Sequence, residues 1–357
     1  MEPQVVVVGA GIVGASVAYH AARHGAAVTL VDRARPGSGV TGSSFGWIGR
    51  HGRWPGGAAA LRADVLPQWW RLETELPGVR VRWTGALSWP VDATVAPLPA
   101  GAGDAGGDVE LLGAAQVAAL EPNLREPPVQ ALRTRSDGAV DALAVTRALV
   151  RGARDHGARV LLGAQVVAVR TGGARVSGVD TSHGPLAADT VVAAAGTGVP
   201  RLCAPFGVPV PVVPSPAAVL EFESPRGLVR TLVAGPDVEV RQSTGGRLLA
   251  AVDWSQDGAG DGPQRALGRT ATAISAVFRG AGGLRPRAVR VGVRPVPADG
   301  APIVGPVPGV PGLYLAVMHS GVTLAPLVGR LVARELVEAV EAEELLGCRP
   351  GRFTASA

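Results

Sequence analysis

Lysine is absent from this chain of 357 residues, so all 34 basic side chains are arginine. No primary-amine nucleophile is available, which removes pyridoxal phosphate chemistry and every Schiff-base mechanism. Cysteine is nearly absent as well. Cys203 and Cys348 stand far apart without ligand spacing, so no disulfide framework and no metal site is expected, and both thiols read as inert. No run of five or six like charges occurs. The formal charge of +5 comes from arginines dispersed among 29 acidic residues, which gives no reason to expect a nucleic acid partner. The longest apolar stretch is N-terminal, but glycines, His20 and Arg23 interrupt it and Glu2 stands in place of a basic leader. That pattern argues against a signal peptide or membrane span and favours a cytoplasmic enzyme. A hydrophobic fraction of 47% is that of an ordinary globular protein with room for one large core or two.

What is present is concentrated first at the N-terminus, in QVVVVGAGIVGASVAYHAARHGAAVTLVD. Four valines predict a strand buried on both faces, and Gly9, Gly11 and Gly14 supply G-x-G-x-x-G where that strand becomes a helix. Gly9 permits a tight turn, Gly11 lets the backbone approach a pyrophosphate, and Gly14 lets the helix lie close on the strand. The helix, expected over about Ile12 to His24 with Gly25 as its stop, turns free N–H groups and the positive end of its dipole toward an anion. A second strand ends in Asp32, placed to accept hydrogen bonds from ribose hydroxyls, which favours FAD or NAD over NADP. Gly101, Gly103 and Gly106 repeat the glycine spacing, but without a strand before or a helix after them, and read as a flexible insertion.

Further along, RARPGSGVTGSSFGWIG reads as a functional loop. Residues 58–76 read as a helix with Leu61, Val65, Trp69 and Leu72 on one face, kinked or split by Pro67. Residues 79–137 read as short strands. Helical periodicity returns at 140–156, followed by ARVLLGAQVVAVR and by RVSGVDTSHGPLAADTVVAAAG, which repeat the logic of a doubly wound sheet. Residues 217–283 read as strands with a helix near 265–278. At the C-terminus, a buried strand at 313–317, a turn at His319, Ser320 and Gly321, and a long helix from Val322 offer a second place for negative charge.

These blocks together resemble the FAD-dependent D-amino acid oxidase family, which includes glycine oxidase, sarcosine oxidase and bacterial amino acid dehydrogenases. The resemblance implies an α/β fold: a discontinuous, Rossmann-like FAD-binding domain (1–78, 138–204, 290–357) with an inserted, mainly antiparallel β-sheet substrate domain (79–137, 205–289). It implies that Gly9, Gly11, Ile12, Val13 and Gly14 hold the pyrophosphate, and that Asp32 and Arg33 meet the adenosine end. Thr41, Gly42, Ser43, Ser44 and Gly46 would line pyrophosphate and flavin, Val166 would face adenine, and Gly196 would pass beneath the cofactor. His319, Ser320, Gly321, Val322 and Thr323 would sit at the flavin's pyrimidine edge, where a helix dipole stabilises negative charge.

Arg294, in GVRPVPADG, matches the arginine with which relatives grip a substrate carboxylate, and a guanidinium fork suits that partner. A surface arginine beside Arg287 and Arg290 is the plainer alternative. His319 either tunes the flavin charge or contacts the substrate, or else makes ordinary turn hydrogen bonds. Trp47 either packs over the flavin ring, walls the substrate pocket or fills core. The implied reaction oxidises the C–N bond of a small amino acid or amine by hydride transfer to flavin, giving an imine. No cysteine stands in 290–297 and the matching loop positions are Gly46 and Trp47, so noncovalent FAD is expected, with His51 a remote candidate for attachment. Without a lysine to activate dioxygen, the acceptor is dioxygen by another route, a quinone or another carrier. The family's pocket tyrosine has no counterpart, and Arg82, Trp83, Trp89, Arg241 and Trp254 are the candidate pocket residues of the substrate domain. Two other readings stand beside this one: an NAD-dependent dehydrogenase, and a flavin-binding subunit of a heteromeric dehydrogenase. Substrate, stereochemistry and oligomeric state are not readable from the chain.

Overall fold

The computed structural model describes residues 2–50, 56–89, 107–243, 245–254 and 262–354. His51 and the second glycine triplet, Gly101, Gly103 and Gly106, lie outside them. The first valines behave as a strand buried on both faces must: Val5 and Val7 join one hydrophobic cluster, Val6 and Val8 another. That strand, Gln4–Val8, is central in a six-stranded sheet. Ala27–Asp32 and then Arg159–Leu162 lie on one side of it; Thr190–Ala193, Leu313–Val317 and Ile303–Pro306 follow on the other. All neighbours run parallel except the edge strand Ile303–Pro306.

One face of this sheet is covered by the helices Ile12–Arg23, Val65–Glu75, Ala142–Asp155 and Gly321–Glu338. The first helix ends as its sequence dictates, with Gly25 in the left-handed region at φ +92°. Leu61, Val65, Trp69 and Leu72 are all buried, but the chain breaks between a 3-10 turn at Gly56–Leu61 and the helix at Val65. Pro67 therefore stands in the first turn of a new helix, where its missing N–H costs nothing, rather than kinking a long one. On the opposite face, Val166–Gly172, Arg175–Thr181 and Gly184–Ala187 form a separate three-stranded antiparallel sheet. Only the flanking strands of that sequence block extend the parallel sheet.

The second layer is an eight-stranded sheet in the order Arg285–Pro297, Val212–Glu223, Arg247–Asp253, Glu239–Gln242, Leu232–Ala234, Ala86–Ser88, Gln130–Thr134 and Val109–Gly113. Every pairing is antiparallel except that of Leu232–Ala234 with Ala86–Ser88. Two helices, Ala114–Leu120 and Gly262–Val277, cover one face through Val117 and Ile274, with Phe278 just beyond the second; the first interrupts a stretch whose sequence reads as strands alone. Arg285–Pro297 pairs with Val212–Glu223 along its whole length, so residues 290–297 stand in this sheet and not in the six-stranded one.

Candidate active site

Between the two large sheets lies a cavity of about 1090 Å³, just above the ~300–1,000 Å³ range of ligand sites. Its walls collect Gly9, Gly11, Ile12, Val13, Asp32, Arg33, Thr41, Ser43, Ser44, Gly46, Trp47, Val166, Gly196, Arg294, His319, Ser320, Gly321, Val322 and Thr323. Two residues of the expected set stand behind that wall. A Cβ on Gly14 would lie 1.9 Å from the Gly9 carbonyl oxygen, so Gly14 serves the close seating of helix on strand. A Cβ on Gly42 would meet the Gly37 carbonyl at 2.7 Å, which makes Gly42 a packing residue of the loop.

The fit of a dinucleotide follows from the local geometry. Gly9 sits at φ +107° with its missing Cβ 2.6 Å from the Ala194 carbonyl oxygen, so no side chain can occupy the crest of the turn. Gly11 caps the first helix without a side chain, and Thr41 Oγ1 accepts from the Ile12 N–H at 3.2 Å, leaving the other first-turn N–H groups to a ligand. Asp32 is held at the end of its strand by the N–H groups of Ala10, at 2.7 Å, and Ala34, at 2.8 Å. Each carboxylate oxygen keeps capacity for a further donor. Across the cavity, Ser320 starts the C-terminal helix at φ +57°, again without a side-chain cap.

The second loop is clamped from three sides. Thr323 Oγ1 donates to the Trp47 carbonyl at 3.0 Å, and Ser43 Oγ donates to the Val291 carbonyl at 3.1 Å. Arg241, expected from sequence in the pocket, is buried beneath this loop, donating to the Phe45 carbonyl at 2.6 Å and the Val140 carbonyl at 3.0 Å. Burial, helped by Arg82, pulls its guanidinium down to about 10. The other four candidates also stand off the cavity wall. Arg82 bonds the Gln242 carbonyl, Trp83 donates to Glu73, Trp89 packs against Gly235, and Trp254 packs on the core beneath the sheet.

Sequence reasoning missed Asp137 and Glu239, and both line the cavity. Trp47 Nε1 donates to Asp137 Oδ2 at 2.7 Å, while Oδ1 is buried without a partner. Burial pushes this carboxyl up to about 7, the Trp47 N–H pulling the other way. Arg294 reaches over the eight-stranded sheet to Ser215 Oγ and Asp253 Oδ1, both at 2.8 Å from Nη2. Asp253 is 85% exposed, so a substrate carboxylate can take its place at little cost. Arg287 and Arg290 instead pair with Glu223 and Glu221, which separates them from the cavity group. His319 bonds the Ser320 hydroxyl through Nδ1 at 3.4 Å, and burial together with the Arg294 charge lowers its pKa, so the imidazole is neutral at neutral pH. Cys203 and Cys348 are buried, and burial pushes both thiols up to about 11, consistent with inert packing. Among the described residues no group of three or more His, Cys, Asp or Glu side chains could hold a metal ion, and no helix is long and apolar enough to cross a membrane.

Comparison with known proteins agrees with this geometry. The family model described as "FAD dependent oxidoreductase", DAO, matches residues 4–335. An uncharacterized oxidoreductase of Bacillus subtilis, YurR, is 30% identical over 354 residues, covering 92% of this chain and 93% of the relative. Glycine oxidase of Pseudomonas aeruginosa is 27% identical, covering 93% of this chain and 94% of its own. The crystal structure of glycine oxidase from Geobacillus kaustophilus superposes with a TM-score of 0.88 over 98% of this chain and 99% of that one, at 23% identity, which fixes the fold. The match decides for FAD over the NAD alternative, and the chain belongs to the DAO family of FAD-dependent oxidoreductases.

Proposed function

We propose that the protein oxidises the C–N bond of a small amino acid, with the substrate carboxylate on Arg294. The observation that carries this reading is the meeting of Arg294, the lone cavity-facing arginine of the described substrate sheet, with the glycine turn, Asp32 and the C-terminal helix start in one cavity. FAD, when bound, supplies the two-electron acceptor that takes a hydride from the carbon next to nitrogen. The protein's own tasks are positioning and charge control. Gly9, Gly11, Ile12, Val13, Asp32, Arg33 and the loop from Thr41 to Gly46 hold the cofactor, Val166 and Gly196 border it, and Ser320 to Thr323 bring a helix N-terminus to where negative charge develops. Gly14 and Gly42 shape the turn and the loop from behind. Trp47 walls the substrate side, fixed through its N–H by Asp137.

Hydride departure requires a neutral amine. The ammonium proton leaves to solvent, and His319, uncharged at neutral pH, accepts a hydrogen bond from the neutral amine. The nitrogen lone pair then closes the C=N bond as the hydride leaves, and water hydrolyses the imine to a keto acid and ammonia. With no lysine to activate dioxygen, we infer that a quinone or another carrier accepts the electrons, and that FAD is bound noncovalently.

The test is anaerobic titration of the FAD-loaded protein with D-, L- and N-alkyl amino acids, read as loss of the oxidised flavin band, followed by admission of air. Amino acids should bleach the band, and Arg294→Gln should weaken binding of carboxylate substrates by about 100-fold or more, the cost of an unpaired buried charge. Equal bleaching of wild type and variant would remove the carboxylate role.

A further inference from the structure

Charge on the substrate face of the eight-stranded sheet is lopsided. Residues directly opposite in antiparallel ladders share a face. The register Arg294 to Ser215, Asp253 to Ala217, Ala251 to Val219 and Glu239 to Ala251 therefore puts Arg294, Asp253 and Glu239 on one face, and Arg294 and Glu239 both line the cavity. Ala217, Val219 and Ala251 share that face and line the cavity with them. Arg294 has partners in Ser215 and Asp253. Glu239 has none: no described residue donates to its carboxylate or pairs with it, and it feels Asp253 and Arg294 only at a distance.

Glu239 is half-buried, and a carboxylate on a cavity wall without a protein partner is left for water or a ligand to pair. Arg294 and Glu239 cancel once exposed Asp253 swings away. A substrate that brings one carboxylate and a neutral reacting amine leaves the pocket with one uncompensated negative charge, whereas a second, side-chain cation restores balance. The three-strand separation between the Arg294 and Glu239 backbones, at ~4.8 Å per strand, also sets Glu239 apart from the carboxylate grip.

Resting on the amino acid reading above, we propose that Glu239 is a specificity-determining residue that receives an ammonium or guanidinium on the substrate's side chain, so that the substrate class is basic amino acids. Burial raises the Glu239 carboxyl, as does Asp253, while Arg294 opposes them; an arriving cation offsets that burial.

The experiment uses the FAD-loaded protein under anaerobic conditions and reads the second-order rate of flavin bleaching. Both enantiomers of arginine, lysine and ornithine are compared with the uncharged citrulline and norleucine and with aspartate. Basic substrates should exceed their uncharged isosteres by about 10–100-fold, the worth of one charge-assisted contact. Glu239→Gln should collapse that ratio toward one, and Glu239→Arg should turn the preference toward aspartate, with flavin content confirming that each variant folds. Isosteres as fast as basic substrates in the wild type, or a ratio unchanged in Glu239→Gln, would overturn the assignment while leaving the amino acid reading intact. Failure of every amino acid to bleach the flavin would overturn both.

Discussion

Asp137 and His20 are two buried titratable residues whose contributions to stability change with pH in opposite directions. Asp137 is 5% exposed and pushed up to about 7 from an ordinary 3.8; His20 is 3% exposed and pulled down to about 3 from 6.5, chiefly by burial, with Nε2 unpartnered. Between about pH 4 and 7 the unfolded chain has released the Asp137 proton that the folded chain keeps, so this group's stabilising contribution is full below 3.8 and lost as pH rises to 7. His20 works the other way: its contribution is full above 6.5 and lost as pH falls toward 3. Each effect is worth up to about 1.4 kcal/mol per pH unit. Asp137→Asn keeps an acceptor for Trp47 but cannot titrate, so its stability relative to wild type should climb through pH 4–7 and then level off. His20→Gln should show the opposite trend over its own window. Urea unfolding at fixed pH steps and constant FAD measures both, and variant differences that do not move with pH would refute them. Neither residue was legible as special from sequence. His20 sits in an alanine-rich helix without a pattern to mark it, and Asp137 acquires its environment from Trp47, 90 residues away.

At the level of elements, the N-terminal strand, turn and helix were readable because each signal is local. Val5 to Val8 alternate between two buried faces, Gly9 and Gly14 occupy positions that backbone oxygens close to any side chain, and Gly25 ends the helix. Ala114–Leu120 was missed because one buried valine in seven residues makes no periodicity. The meander of Val166 to Ala187 was misassigned because apolar runs do not reveal which sheet they join. The contact between Ile12–Arg23 and Gly321–Glu338 supplies a test of close packing. Ser16 Oγ donates to the Ala325 carbonyl at 2.7 Å, and a Cβ on Gly329 would lie 2.2 Å from Ser16 Oγ and 2.8 Å from the Ser16 backbone carbon. Side-chain rotation cannot relieve a backbone clash. Gly329→Ala should therefore cost about 1–3 kcal/mol by overpacking, seen as a lower melting temperature with reduced flavin retention, because this helix also presents Ser320 to Thr323 to the cavity. An unchanged melting temperature would show that the two helices can separate freely.

Across the whole molecule, the cavity is a joint between two sheets, bridged by the loop that carries Ser43 and Phe45. Arg241 of the eight-stranded sheet holds the Phe45 and Val140 carbonyls, and Ser43 holds Val291. The walls that would meet FAD and substrate come from both layers, and the face that each substrate-sheet residue presents depends on long-range register. That is why Glu239 was invisible and Arg241 misplaced in a reading of sequence alone, whereas Arg294 was found through its motif. Ligand binding to the folded state alone adds about 2.7 kcal/mol when free ligand is 100 times Kd. If the cavity joins the layers mechanically, that gain should appear in both. Hydrogen exchange at Thr190–Ala193 and at Arg247–Asp253 should slow together, by up to about 100-fold, when FAD is added to the apoprotein. Arg241→Met removes the clasp while keeping the side chain's bulk. In that variant the slowing should persist at Thr190–Ala193 and shrink at Arg247–Asp253. Protection confined to the six-stranded sheet in the wild type would mean that the substrate layer moves independently of the cofactor, and that the Arg241 contacts hold the loop without coupling the sheets.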